Sequence, residues 1–96
     1  MKFRVSIKRK SVDAINELPE KTRRIIHHAL ETLEEDPCPG SGADKERIRL
    51  EEDVDIYRLH IGRSYPAFYT IDRKDHTVQV HDVMTIEQAH KKYGRM

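Results

Sequence analysis

The sequence predicts a small α+β domain, a twisted antiparallel β-sheet with an N-terminal helical hairpin on one face, in the order β-α-α-β-β-β-β-α. Three observations lead there. The chain opens with strict apolar/polar alternation, it continues with an apolar stripe of helical period bounded by prolines, and its second half holds four alternating segments separated by short polar turns. At 96 residues the chain forms one domain spanning 1–96, since neither half is long enough to bury a core by itself.

Taken in order, Phe3, Val5 and Ile7 alternate with charged and hydroxyl residues, the pattern of a strand with one buried face. Ser11 is placed to cap a short helix whose Val12, Ile15 and Leu18 recur every third residue, and Pro19 either interrupts that helix or opens the next. In the second helix Ile25, Ile26, Ala29, Leu30 and Leu33 form the apolar stripe and Pro37 marks the stop. The stretch "PCPGSGADKE" has two prolines, two glycines and no periodic apolar residue, so it reads as the loop between the helical and β halves.

Strands follow at "RIRLE", "DIYRLHI", "YPAFYTID" and "TVQVHDV", and the short connections "GRS" and "RKD" call for antiparallel hairpins. Alternation puts Leu59 and Ile61 on one side of their strand and Arg58 and His60 on the other, and opposes Val78 and Val80 to Gln79 and His81. Thr85 with Gln88 makes a capping box for a last helix, "TIEQAHKKY", closed by Gly94. A helical hairpin covers only one face of such a sheet, so the other face is where function is expected. One residue resists this scheme: Pro66 stands inside a strand, although proline lacks the N–H that a ladder needs.

Apolar and charged residues each make up 36% of the chain, which fits a thin core under a heavily solvated surface. The net charge of +1 conceals segregation, with residues 1–30 and 56–96 basic and residues 31–55 strongly acidic, as suits one face for phosphates and another for a basic partner. Cys38 is the only cysteine, and neither a signal peptide nor a membrane-spanning run is apparent, so a soluble, cytoplasmic protein with no membrane partner is expected.

No nucleotide-binding, metalloprotease or nucleophile-elbow motif is present in the sequence, and neither cofactor nor metal is expected. His27 and His28 are adjacent on a helix and face different directions, which argues against a shared metal. The run Lys8, Arg9 and Lys10 and the pair Arg23 and Arg24 read as solvated charges that together are able to touch phosphate. More informative is the set Arg47, Arg49, Arg58, His60, His81, Lys91, Lys92 and Tyr93, which strand pairing is able to gather on one face. RNA cleavage without a metal needs a base for the ribose 2′-OH, an acid for the leaving oxygen and cations for the crowded phosphorane, roles that these residue types supply.

The opening "FRVSIKRKSVDAINELPEKTRRIIHHALETLEEDP", the glycine-bearing loop and "IYRLHIGRSYPAFYTID" resemble the RelE/ParE toxin superfamily of toxin-antitoxin systems across nearly the whole chain. The last segment is similar to a family pattern of Tyr-Arg-Leu-Arg-Val-Gly followed by Tyr-Arg-x-x-Tyr. The resemblance, RelE-like in kind, implies a toxin bound by a cognate antitoxin, with DNA contacted only through that antitoxin. It implies either cleavage of messenger RNA on the ribosome, which inhibits translation, or a non-catalytic role, as a gyrase-type inhibitor or an inactive toxin acting through antitoxin-linked DNA binding.

Carried over residue by residue, the resemblance makes Arg58, His60 and Tyr93 the catalytic candidates, with Arg47, Arg49, Arg63, Tyr65, His81, Lys91 and Lys92 contacting RNA. Two departures stand out. Pro66 replaces an expected arginine, and the basic residue expected past the last strand falls near Thr85 and Ile86. Both weaken the expected catalysis. One extra residue between Gly62 and Tyr65, relative to the pattern, suggests a bulge that accommodates the proline.

Overall fold

The computed structural model describes residues 2–38, 45–51, 54–62 and 65–93. Eight elements follow in the expected order: β1 (Arg4–Ile7), α1 (Arg9–Asn16), α2 (Glu20–Glu35), β2 (Lys45–Glu51), β3 (Val54–Ile61), β4 (Tyr65–Asp72), β5 (Thr77–Val83) and α3 (Ile86–Tyr93). They build one five-stranded sheet ordered β1-β5-β4-β3-β2. The expected antiparallel pairing holds from β2 through β5, and β1 joins β5 in parallel, which makes the sheet mixed.

The core lies between this sheet and the α1–α2 hairpin. Ile15, Ile26, Leu30 and Leu33 meet Tyr57, Leu59, Ile61, Ala67, Tyr69, Val78, Val80 and Val83. Ile25 and Val12, expected on the apolar stripes, are instead exposed, because each lies at the edge of its stripe, away from the line of Ile26, Leu30 and Leu33 on α2 and of Ile15 on α1 that meets the sheet. The Tyr69 hydroxyl donates a 2.6 Å hydrogen bond to the Pro37 carbonyl, satisfying a buried phenol and tying the chain beyond α2 to the sheet. Pro19 occupies the position before Glu20, so it opens α2.

Ser11 does not cap α1. The Lys8 amide still bonds to the Val80 carbonyl at 3.0 Å, so the chain leaves the β1–β5 ladder and enters the helix at once, with Lys8 at the cap position. Ser11 therefore lies inside the helix, buried, and its hydroxyl donates to the His81 carbonyl at 2.9 Å. That carbonyl is available because β5 is bulged. Phe68 pairs with Asp82 but the next residue, Tyr69, pairs with Val80, leaving His81 unmatched in the register.

The bulge resets the alternation of β5. Val78 and Val80 are in the core; without the extra residue Asp82 would follow them there, whereas the structure buries Val83 against the core and turns Asp82 to the opposite face. The β3–β4 register, by contrast, runs unbroken from Tyr57 opposite Tyr69 to Ile61 opposite Tyr65. The bulge expected from the extra residue between Gly62 and Tyr65 falls outside the described residues, and from Tyr65 onward β4 shows none against β3. Arg63 and Ser64, the other residues of that expectation, lie outside the described residues, as do residues 39–44 of the long loop and Gly94.

Pro66 is accommodated by its place near the start of β4. Its carbonyl accepts from the Met84 amide at 3.3 Å, and because N–H and C=O of one strand residue point the same way, its missing donor faces the end of β5 and not β3. No β3–β4 hydrogen bond is lost there. At the preceding turn Gly62 takes φ +59 with open space around a notional Cβ, so glycine serves backbone conformation here and not close packing.

The second face of the sheet carries α3. Thr85 and Gln88 form the expected capping box, with Thr85 N donating to Gln88 Oε1 at 3.0 Å and Gln88 N donating to Thr85 Oγ1 at 3.2 Å. The helix packs on β4, where Ala89 and Phe68 are both buried. Among the described residues no helix is long and apolar enough to cross a membrane.

The Ser11 hydrogen bond has a measurable consequence. Ser11→Ala leaves a carbonyl at the bulge without that donor in a part-buried site, an expected destabilisation of about 1–3 kcal/mol. Chemical denaturation checks it: the midpoint should fall with an unchanged slope, which locates the loss in the native state.

Candidate functional site

The face opposite the core is assembled by register. Ile56, Arg58 and His60 alternate along β3, and on β4 Phe68 stands opposite Arg58 while Pro66 stands opposite His60. α3 lies over β4, so a cavity of about 200 Å³ forms between its exposed Ile86 and His90 and the strand residues Arg58, His60 and Pro66. Tyr65 and Gly62 also line it. Arg58 is half-buried, and removal from water lowers its guanidinium pKa from the ordinary value. It remains a cation, and a partly dehydrated one interacts strongly with an incoming anion.

A second group of charges lies on the same face. The bulge brings His81 and Asp82, successive residues, to one side. Asp82 is buried, and its two carboxylate oxygens accept from Lys10 Nζ at 3.0 Å and Lys92 Nζ at 2.9 Å. One carboxylate therefore joins α1, β5 and α3, and Lys92 anchors the last turn of α3. The hydrogen bond to Asp82 is the main reason that the Lys10 pKa is raised. Both lysines are about half exposed, so each pair is screened by solvent and the geometric tie matters more than the Coulomb energy.

His81 Nε2 and Thr70 Oγ1 share a 2.9 Å hydrogen bond. Burial, followed by the charge of Lys8, holds the His81 pKa below its ordinary value; Asp82 opposes this, while Lys10 and Lys92 add to it. With Ile56 these groups line another cavity of about 200 Å³.

The expected site residues divide accordingly. Arg58, His60 and Tyr65 border the first cavity, and His81 and Lys92 belong to the second group. Lys91 is exposed on the last turn of α3, and Tyr93 is the final residue of that helix. Arg47 does not join them. It stands opposite Tyr57, a core residue, and so belongs to the hairpin side of the sheet, where it approaches Asp55 at 3.9 Å. Arg49 stands opposite Asp55 in the same ladder. Strand pairing therefore separates the β2 arginines from Arg58 and His60. Arg63 lies outside the described residues.

Three participants escaped the sequence reading, Thr70, Asp82 and His90, while Lys10 was expected only as a solvated charge. A signal for Asp82 existed, because the apolar residues of "VQVHDV" are spaced by two and then by three, as a bulge requires. For His90 the signal was its i, i+4 relation to Ile86 once the capping box had set the helix start. Among the described residues no group of His, Cys, Asp and Glu is arranged to hold a metal.

No family model matches the chain. A protein of Methanocaldococcus jannaschii bearing the toxin name RelE1 is 26% identical over 91 residues, covering 95% of this chain and 98% of that one. A chain of the archaeal RelE–RelB complex from Pyrococcus horikoshii superposes with a TM-score of 0.74 at 27% identity, over 88% of this chain and 96% of the other. The toxin–antitoxin complex RelBE2 of Mycobacterium tuberculosis gives a TM-score of 0.73 at 17% identity, over 88% and 99%, a likeness of fold.

The depressed His81 pKa predicts acid sensitivity. Its neutral form is favoured in the folded chain, so its contribution to stability is present above the ordinary value of 6.5 and is lost as the pH falls through the lower folded value. Denaturation midpoints measured from about pH 7 to pH 5 should drop more steeply for the wild type than for His81→Gln.

Proposed function

We propose that this chain, a RelE-like member of the RelE/ParE toxin superfamily, is the toxin of a toxin–antitoxin pair and cuts messenger RNA on the ribosome. The observation that carries the reading is the cavity beneath α3, where one partly dehydrated guanidinium and two imidazoles border a space open to a phosphodiester. Arg58 stabilises charge on the non-bridging oxygens as the phosphorane forms, and His60 takes the ribose 2′-OH proton. Tyr93, at the end of α3, is the third catalytic candidate.

Tyr65, His81, Lys91 and Lys92 contact the flanking RNA in this reading, and Arg63 joins them from the β3–β4 turn. Arg47 and Arg49 fall outside it, since their strand register sets them apart. The partner protein is an antitoxin, DNA is met only through it, and the ribosome holds the message in place. Antitoxins and complexes of this kind accompany the similar chains named above.

One observation favours a weakened nuclease as the second reading. Pro66 and Ile86, which stand where the resemblance expects basic residues, both wall the cavity that holds Arg58. Two cationic contributions are thus absent from a single place. Each missing contact of that kind slows a reaction by about two to three powers of ten. A chain so depleted retains antitoxin binding while cutting slowly.

Purified protein added to ribosomes carrying a defined message, with cut sites mapped by primer extension, tests the reading. Cleavage should require the ribosome and should fall by about a hundredfold or more in His60→Gln without loss of folding or ribosome binding. Wild-type rates in that variant exclude the role of His60, and no cleavage at any enzyme concentration leaves only the binding function.

The missing cations give a prediction of the opposite sign. Pro66→Arg should raise the single-turnover cleavage rate by about tenfold or more, because it returns a guanidinium to the wall facing Arg58. Pro66 is buried, so the arginine must reach the cavity to stay hydrated; stability, measured by denaturation alongside the rate, should fall by no more than about 1–3 kcal/mol.

A further inference from the structure

Cleavage of RNA through its 2′-hydroxyl needs two proton transfers, and with His60 as the base the second has no assigned donor in the reading above. We propose that His90 is the general acid that protonates the leaving 5′-oxygen. The inference rests on the nuclease reading and adds a residue to it.

The cavity limits the candidates. Among the described residues that border it, Arg58 keeps its proton throughout any reaction near neutrality. Tyr65 borders the cavity while also packing against the core cluster, and a phenol is a much weaker acid than an imidazolium. Pro66, Ile86 and Ala89 have no proton to give. His60 and His90 remain, and imidazole is the side chain that donates and accepts protons readily near neutral pH.

Their placement suits opposite roles. His60 enters from β3, the floor of the cavity, and His90 from α3, which lies across β4. Attack and departure at phosphorus occur on opposite sides, so a base and an acid carried by different elements can flank the phosphate, whereas neighbours on one strand cannot. Both rings are exposed, as proton exchange with solvent after each turnover requires. The position of α3 is set by the Thr85–Gln88 capping box at its start and by Lys92 on Asp82 near its end, so His90 is held between two fixed points.

His60 accepts the 2′-OH proton, and the 2′-oxygen forms the new bond to phosphorus. The P–O5′ bond breaks with its electron pair passing to the 5′-oxygen, which takes the proton of the His90 imidazolium. The products are a 2′,3′-cyclic phosphate and a 5′-hydroxyl, and solvent restores both imidazoles.

The test compares two messages on the ribosome, one with an ordinary phosphodiester at the cut site and one with a 5′-bridging sulfur there, whose departure needs no proton. His90→Ala and His90→Gln should cut the ordinary message about a hundredfold or more slowly and lose the fall in rate at high pH that an essential acid produces. Both should cut the sulfur-bridged message within a few fold of wild type, whereas His60→Ala should be slow on both. Ribosome co-sedimentation and the denaturation midpoint should be unchanged, since His90 is exposed. Wild-type cleavage of the ordinary message by the His90 variants, or no rescue by sulfur, overturns the assignment while leaving the nuclease reading intact. Absence of cleavage by the wild type on both messages overturns both.

Discussion

A single unmatched residue in β5 governs the arrangement of the functional face. With His81 bulged, Val83 and not Asp82 follows Val78 and Val80 into the core. The same displacement frees the His81 carbonyl for Ser11, which locks α1 against the sheet, and sets Asp82 between Lys10 and Lys92. A strand without the bulge would bury a carboxylate in an apolar core, at a cost of several kcal/mol, roughly, before any compensation. Burial energetics thus select the bulged register, and the bulged register supplies the charge that joins three elements.

From this anchor the position of α3 follows. Lys92 reaches Asp82 from the last turn, Ala89 is buried where the helix meets β4, and the capping box fixes where the helix starts. These polar ties contribute to its orientation at both ends of the helix. The cavity between α3 and β3–β4 is the direct product. Its walls are mixed in kind: Arg58 and the two imidazoles offer charge and proton transfer, while Pro66 and Ile86 offer neither. Chemistry and its limitation sit within one space.

Much of the architecture was legible beforehand because the signals are local. Alternation identified every strand, the Ile26, Leu30 and Leu33 stripe identified α2, and Thr85 with Gln88 located the start of α3. Arg58 and His60 were separable from Leu59 and Ile61 by period alone. Where reading failed, the cause was non-local. Ser11 looked like a cap because Ser is a good one, yet the β1–β5 ladder starts the helix earlier and the bulge carbonyl claims the hydroxyl. Arg47 and Arg49 looked like companions of Arg58 because all are strand arginines, but the offset between β2 and β3 opposes Arg47 to Tyr57.

The sequence by itself therefore determined the identity and order of the elements, since periodicity and capping are properties of neighbouring residues. The tertiary structure decided which functional side chains share a space: Arg58 with His90 across the α3 cleft, Lys10 with Lys92 through Asp82, and Arg47 with none of them. The physical reason is that strand register and helix docking are selected by the summed burial and hydrogen bonding of residues far apart in the chain, and shifting one residue across a ladder exchanges the faces of all that follow.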